Sequence, residues 1–135
     1  DPLADHAGYP EVVAQLRAKG LDDPERVFWF ARRWFSAGHL AFASGGHLEV
    51  ACFHDNDARG FAFWNDPDAT LGRDGVLVSV SSRTELERDA YAPYFEAFEP
   101  LGTITATRQG QAIRTLDLTL FRRQLKPFPI GSRPE

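Results

Sequence analysis

Two runs, Val27-Phe28-Trp29-Phe30 and Val76-Leu77-Val78-Ser79-Val80, constrain this chain more than anything else in it. A strand sends successive side chains to opposite faces, so a run without polar alternation is apolar on both. Strands of that kind must be covered from above and below, and helices supply such cover in α/β folds. The chain offers helical patterns at the right places. Residues 9–19 put Val12, Val13 and Leu16 at the three-and-four spacing of one helix face. Pro10 suits the first turn there, and Gly20 suits the position past the end. Asp22-Asp23-Pro24 predicts a turn, residues 34–43 are again helix-like, and Gly45-Gly46 ends them.

Residues 48–53 predict a further strand, with Glu49 marking an edge or a strand start. After residue 80, Ser82 and Glu85 have the spacing of a capping box. That spacing predicts a helix carrying Leu86, Tyr91, Tyr94, Phe95 and Phe98, which Pro93 kinks or divides. Residues 103–107 and 112–121 then alternate polar with apolar, and Gln109-Gly110 supplies a turn between them. This pattern predicts an antiparallel hairpin with one wetter face. The order predicts an α/β fold: a three-layer, mostly parallel Rossmann-like sheet, helices on both faces, and a C-terminal antiparallel hairpin at the edge. Residues 1–125 form a single α/β domain in this reading, and residues 126–135 a Pro-rich tail lying on the surface. In open sheets of this type, ligands sit beyond the carboxyl ends of the strands.

At 135 residues the chain is one domain by length, with 43% hydrophobic and 25% charged residues, as in ordinary folded proteins. Its formal net charge of −4 argues against a nucleic-acid partner, which requires clustered Lys and Arg. Cys52 is the single cysteine, so no intrachain disulfide can form. No apolar run is long enough to span a bilayer. The chain contains no Met and opens on Asp1-Pro2, from which we expect one domain excised from a longer protein.

Several constellations carry candidate chemistry. Arg32-Arg33 follows the first strand and leads into a helix, where backbone N–H groups favour an anion. Arg33 can pair with phosphate or carboxylate there, and Ser36 can donate a further hydrogen bond. The alternative is an arginine stem covering a neighbouring ring. The segment from Arg59 through Phe61, Phe63 and Trp64 sets three rings within four positions, which either fill a core edge or floor a ligand or partner site. Asp55-Asn56-Asp57 has the Asp-x-Asp pattern of metal-dependent nucleotide-sugar enzymes, since Asp55 and Asp57 can both reach one hard cation. Acidic residues also gather in turns for their own hydrogen bonds, so no metal is expected. His54 beside Cys52 lacks a neighbouring oxyanion motif, and His6, His39 and His47 lack zinc spacing. Gly-rich nucleotide cradles are missing after every predicted strand, so no cofactor is expected in this chain.

These segments, taken in order, resemble the soluble C-terminal domain of bacterial integral-membrane glycosyltransferases of the protein-mannosyltransferase and aminoarabinose-transferase type (glycosyltransferase family 39-like). A helix and first strand are followed by a segment like Arg32 to Phe42, then by a second strand and a loop like Gly60-Phe61-Ala62-Phe63-Trp64. Gly72-Arg73-Asp74-Gly75 turns into the buried strand, and the chain closes on an Arg-rich strand, Leu118-Thr119-Leu120-Phe121-Arg122. The family often has Asn-Gln-Tyr where this chain has Ala58-Arg59-Gly60-Phe61. The resemblance implies a multi-span enzyme that moves a sugar from a polyprenyl-phosphate carrier to a protein or lipid acceptor. Its catalytic acidic residues would lie in loops outside this chain, so no catalytic residue is carried over and the fragment is expected to be inactive alone. The resemblance implies an extracytoplasmic, periplasmic position, with the transmembrane part of the same polypeptide as partner and contact with lipid-linked sugar or acceptor. The alternative is a stand-alone glycan- or peptide-binding module that uses the aromatic loop.

Overall fold

The computed structural model of the protein describes residues 6–46, 50–52 and 68–128. Its elements are α1 (Tyr9–Ala18), β1 (Val27–Ala31), α2 (Trp34–Ala43), β2 (Val50–Cys52), β3 (Asp74–Val80), α3 (Thr84–Tyr91), β4 (Phe95–Arg108) and β5 (Gln111–Gln124). The chain is an α/β protein with a five-stranded mixed sheet in the order β2-β1-β3-β5-β4. β1 pairs in parallel with β2 and β3, whereas β3–β5 and β5–β4 are antiparallel. The sheet is therefore evenly mixed where the sequence predicts a mostly parallel one. The hairpin is the reason, because β4 and β5 run 14 residues each and contribute half of the pairings.

All five residues of β1 are buried, as the absence of polar alternation requires. Val27, Trp29 and Ala31 enter one core with Val76 and Val78 of β3, Val12, Val13 and Leu16 of α1, and Ala37 and Leu40 of α2. Phe28 and Phe30 enter a second core with Leu77, Tyr91, Phe95 and Phe121. The second core is largely aromatic: Phe95 and Phe121 have centroids 4.8 Å apart, and Tyr91 meets Phe30 edge-on at 5.1 Å. Trp29 is fully buried, and its indole N–H donates to the Leu21 carbonyl at 2.8 Å, so no polar atom is stranded.

Local signals set the ends of most elements. Gly8 precedes α1 with φ +96°, and a Cβ there would stand 3.0 Å from Ala106 and from Leu116. Only glycine permits both that conformation and that approach of the hairpin. Gln109 and Gly110 both have positive φ, 53° and 80°, which is the twist a two-residue hairpin connection needs. The expected strand over 48–53 is seen as Val50–Cys52 at the sheet edge, its remaining residues lying outside the described set.

Three expectations are corrected. Phe95 and Phe98 belong to β4 rather than to a helix: α3 ends at Tyr91, and Ala92–Tyr94 forms a single 3-10 turn containing Pro93. Proline suits the start of a turn but lacks the N–H that a continuing helix would need. The Ser82–Glu85 capping box does not form either. Ser81–Arg83 is a 3-10 turn, and the helix starts at Thr84 with no side-chain cap. The C-terminal segment does not simply lie on the surface. Lys126 and Pro127 are exposed, but Phe128 is only 4% exposed and packs on Tyr94 at 4.9 Å and Tyr91 at 5.4 Å.

No described helix is long and apolar enough to cross a membrane. Phe128 closes the aromatic core, so Phe128→Ala is expected to lower unfolding stability by about 3 kcal/mol in urea denaturation. Leu125→Ala, at a side chain 51% exposed, is expected to change it by less than about 1 kcal/mol. Equal effects of the two substitutions would show that the tail does not belong to the core.

Candidate functional site

β1 and β3 are adjacent and parallel, so their carboxyl ends open on the same side of the sheet. After Ala31 the chain leaves β1 through Arg32 and Arg33, and Arg33 is the N-cap residue of α2. After Val80 it turns through Ser81–Arg83 into α3. Between the two exits lies a cavity of about 360 Å³. Its charged lining is Arg32, Arg33, Arg83, Arg114 and Glu87, with Ser36 from the first turn of α2. Tyr9, Val78, Val80 and Ile113 form its less polar wall.

Two of the arginines are held against aromatic rings. The Arg32 guanidinium carbon lies 6.0 Å from the centroid of the buried Tyr91 ring, and that of Arg114 lies 5.9 Å from the Tyr9 ring. Such contacts fix a planar cation over a ring face. Burial pushes the Tyr91 hydroxyl well above its ordinary range, while Arg32 pulls the other way. Glu87 is only 3% exposed. Burial pushes its carboxyl from 4.5 up to about 7, against the opposing pull of Arg32, Arg83 and Arg33. A carboxyl at that value carries a proton about half the time at neutral pH.

A hydrogen-bond node fixes the start of α3, and with it Arg83 and Glu87. Thr84 Oγ1 lies 2.6 Å from Asp117 Oδ2 and 2.8 Å from Ser79 Oγ. The Thr84 hydroxyl has one proton, which goes to the carboxylate, so Ser79 donates to Thr84. Thr103 donates to the other Asp117 oxygen at 2.7 Å. Although desolvation raises the Asp117 carboxyl, hydrogen bonds from Thr84, Thr103 and Ser81, together with Arg88, hold it below its ordinary value. Arg88 also donates to Thr119 at 2.8 Å, tying α3 to β5 a second time.

The sequence expectation at Arg33 and Ser36 falls in this cavity, and the fold brings the two together. Arg59, Phe61, Phe63, Trp64, Asp55 and Asp57 lie outside the described residues. Sequence reasoning missed Arg83, Glu87 and Arg114. Arg83 had a usable signal, because it also follows the carboxyl end of a strand predicted to be buried. Arg114 had none, since only the register of β5 against β3 places it here. The two nearest register pairs are Val80 with Leu116 and Ser79 with Asp117, so the residues preceding Leu116 run past the end of β3 toward the cavity.

A larger cavity, about 490 Å³, lies at the amino ends of β1 and β3. Two of its arginines are already engaged. Arg73 donates to the carbonyls of Pro24 and Ala69, and Arg122 bridges Asp74 at 3.5 Å and Glu99 at 2.7 Å. That end of an open sheet is also the one ligands avoid. Elsewhere, His6 and His39, 33 positions apart, meet with their Nδ1 atoms 3.0 Å apart, and Tyr9 stacks on His39 at 5.3 Å. Among the described residues, no group of three or more His, Cys, Asp or Glu is placed to hold a metal ion. Cys52 is buried, with its Sγ 3.5 Å from the Arg32 carbonyl.

Compared with protein-family models, with curated proteins and with solved structures, the chain matches none.

Glu87 makes stability depend on pH in a direction that can be checked. Its folded-state value lies above its ordinary one, so folding takes up a proton between about pH 4.5 and pH 7. Stability is therefore unaffected by this group below about pH 4.5, falls as pH rises from there to about 7, and levels off above it. The rise corresponds to at most roughly 3 kcal/mol. Glu87→Gln removes the ionisation, so its melting temperature relative to wild type is expected to climb between about pH 5 and pH 8. A constant difference across that range would show that Glu87 does not titrate in the folded protein.

Proposed function

We propose that this chain is a non-catalytic soluble domain of an integral-membrane glycosyltransferase of the protein-mannosyltransferase and aminoarabinose-transferase type. The parent enzyme transfers a sugar from a polyprenyl-phosphate carrier to a protein or lipid acceptor. The domain stands on the extracytoplasmic, periplasmic face of the bacterial inner membrane, against the transmembrane part of the same polypeptide. Its finer architecture, in this reading, is Rossmann-like, with three layers. The ordered run of segments from the first helix to the Arg-rich last strand supports the assignment.

The observation that carries the functional half of the reading is the arginine-walled cavity at the carboxyl ends of β1 and β3. A polyprenyl-phosphate sugar is anionic at the very point where carrier and sugar join. Four guanidiniums in one cavity suit the holding of such a group. Guanidiniums stay protonated at all ordinary pH and cannot serve as bases, which fits holding better than bond cleavage. The cavity needs no cofactor for that task.

The isolated chain, incubated with a polyprenyl-phosphate sugar and an acceptor, is expected to give no transfer product. Turnover that disappears in Glu87→Gln would make the cavity an active site and overturn the non-catalytic reading. The reading frame around the chain is expected to encode several long apolar spans before Asp1. A frame without them removes the membrane-transferase assignment.

A further inference from the structure

The geometry points to a phosphoryl-binding site in the cavity between Arg32, Arg33, Arg83 and Arg114, with buried Glu87 taking up a proton as the ligand enters. The inference rests on the same cavity reading as the proposed function, but it adds a preference for phosphoryl over carboxylate and a proton linkage.

The four guanidiniums reach the cavity from three separate places: the β1–α2 connection, the turn before α3, and β5. They concentrate positive charge at one point in a chain whose formal net charge is −4. Among the described lining residues, Glu87 is the one carboxylate. Arg32 and Arg114 are already held against the Tyr91 and Tyr9 rings, so little side-chain freedom is lost when they engage a ligand. The first backbone N–H groups of α2 add to the same field. The first helical bond, Ala37 N to Arg33 O, leaves the residues before Ala37 without an acceptor inside the helix.

This arrangement selects a phosphoryl group over a carboxylate. A carboxylate presents two oxygens in one plane and satisfies one guanidinium fork. A phosphoryl group presents up to three terminal oxygens around a tetrahedral centre and carries up to two charges, so arginines approaching from different elements can share it. A nucleic-acid backbone is the wrong shape, because it needs a stripe of cations rather than one cavity. Val80 and the partly exposed Ile113 give the organic remainder of the ligand a dry wall. At about 360 Å³, the cavity lies toward the lower end of the roughly 300–1,000 Å³ range of small-molecule sites.

Glu87 gives the site its proton linkage. It faces Arg32 and Arg33 from the β1–α2 connection and Arg83 from the turn before its own helix. Arg114 lines the same cavity from β5, Tyr91 lies four residues along α3, and Cys52 of β2 acts on Tyr91. Burial favours the protonated carboxyl, and the arginines favour the ionised one. A phosphoryl anion seated on the arginines offsets their pull and adds its own repulsion. The carboxyl then binds a proton and keeps it, free to donate a hydrogen bond to the anion, and the complex gains up to one H+ for each ligand bound at a pH where the free site is ionised.

Isothermal titration of the chain tests both parts. Inorganic pyrophosphate is expected to bind at least about tenfold more tightly than acetate, and Arg33→Gln and Arg83→Gln each to weaken it by about tenfold. Equal affinity for acetate, or unchanged binding by folded Arg33→Gln/Arg83→Gln, would overturn the site. Sulfate, which does not titrate here, is expected to bind several-fold more tightly at about pH 6 than at about pH 8, and Glu87→Gln to abolish that dependence. The same slope in Glu87→Gln would overturn the proton linkage. Phenyl phosphate and phosphatidylcholine vesicles carrying phosphatidic acid separate the two sources. Co-sedimentation competed away by phenyl phosphate assigns a lipid headgroup, binding of phenyl phosphate alone assigns a free ester, and binding to neither sinks the proposal. Failure here leaves the transferase assignment standing, because turnover and the flanking apolar spans decide that separately.

Discussion

Trp29 and Phe30 are neighbours in the chain, yet they end in different cores, because a strand sends successive side chains to opposite faces. β1 and β3 are buried on both sides, and their alternating residues seed both clusters at once. α1 and α2 contribute to the cluster holding Trp29, and Tyr91 of α3 contributes to the one holding Phe30. The hairpin then joins both clusters, through Leu116, Leu118 and Leu120 on one side and Phe121 on the other. Losing the burial of these central strands would remove the reason for every other element to be where it is.

The same constraint builds the candidate site. A strand covered on both faces has only its ends open, so polar residues can gather there without disturbing the core. Two parallel neighbours place their carboxyl ends side by side, and each passes directly into a connection that carries arginine. The rigid part of the site comes from its supports. Tyr91 and Tyr9 hold two of the guanidiniums, and Asp117, through Thr84, fixes where α3 begins. Glu87 is carried inward by that helix. Its burial in a basic cavity is a conflict between desolvation and attraction, and a conflict of that kind makes a carboxyl responsive near neutral pH.

Much of the fold was legible because its signals are local. The helix expected over 34–43 is found to the residue, the helix predicted over 9–19 runs as Tyr9–Ala18, and Gln109-Gly110 forms the turn that its composition suggests. The misreading around Phe95 has a plain cause. Tyr91, Tyr94, Phe95 and Phe98 keep a helix-like spacing, but Pro93 forbids the hydrogen bond that would extend the helix, and aromatic residues serve a strand equally well. Phe128 was hidden for a different reason. Its flanking Pro127 and Pro129 describe backbone that cannot pair in a sheet, which says nothing about where the ring goes.

By itself the sequence determined that two strands would be buried on both faces, where α1 and α2 start and stop to within a residue, and that Arg33 and Ser36 would follow the end of such a strand. Those are consequences of side-chain alternation, periodicity and backbone sterics, each acting over a few residues. Only the tertiary structure decided that Arg114 would join them, that Glu87 would be buried among arginines, and that His6 would meet His39. These depend on strand order and on the β3–β5 register, which come from packing the whole sheet and leave no mark on any short stretch of chain.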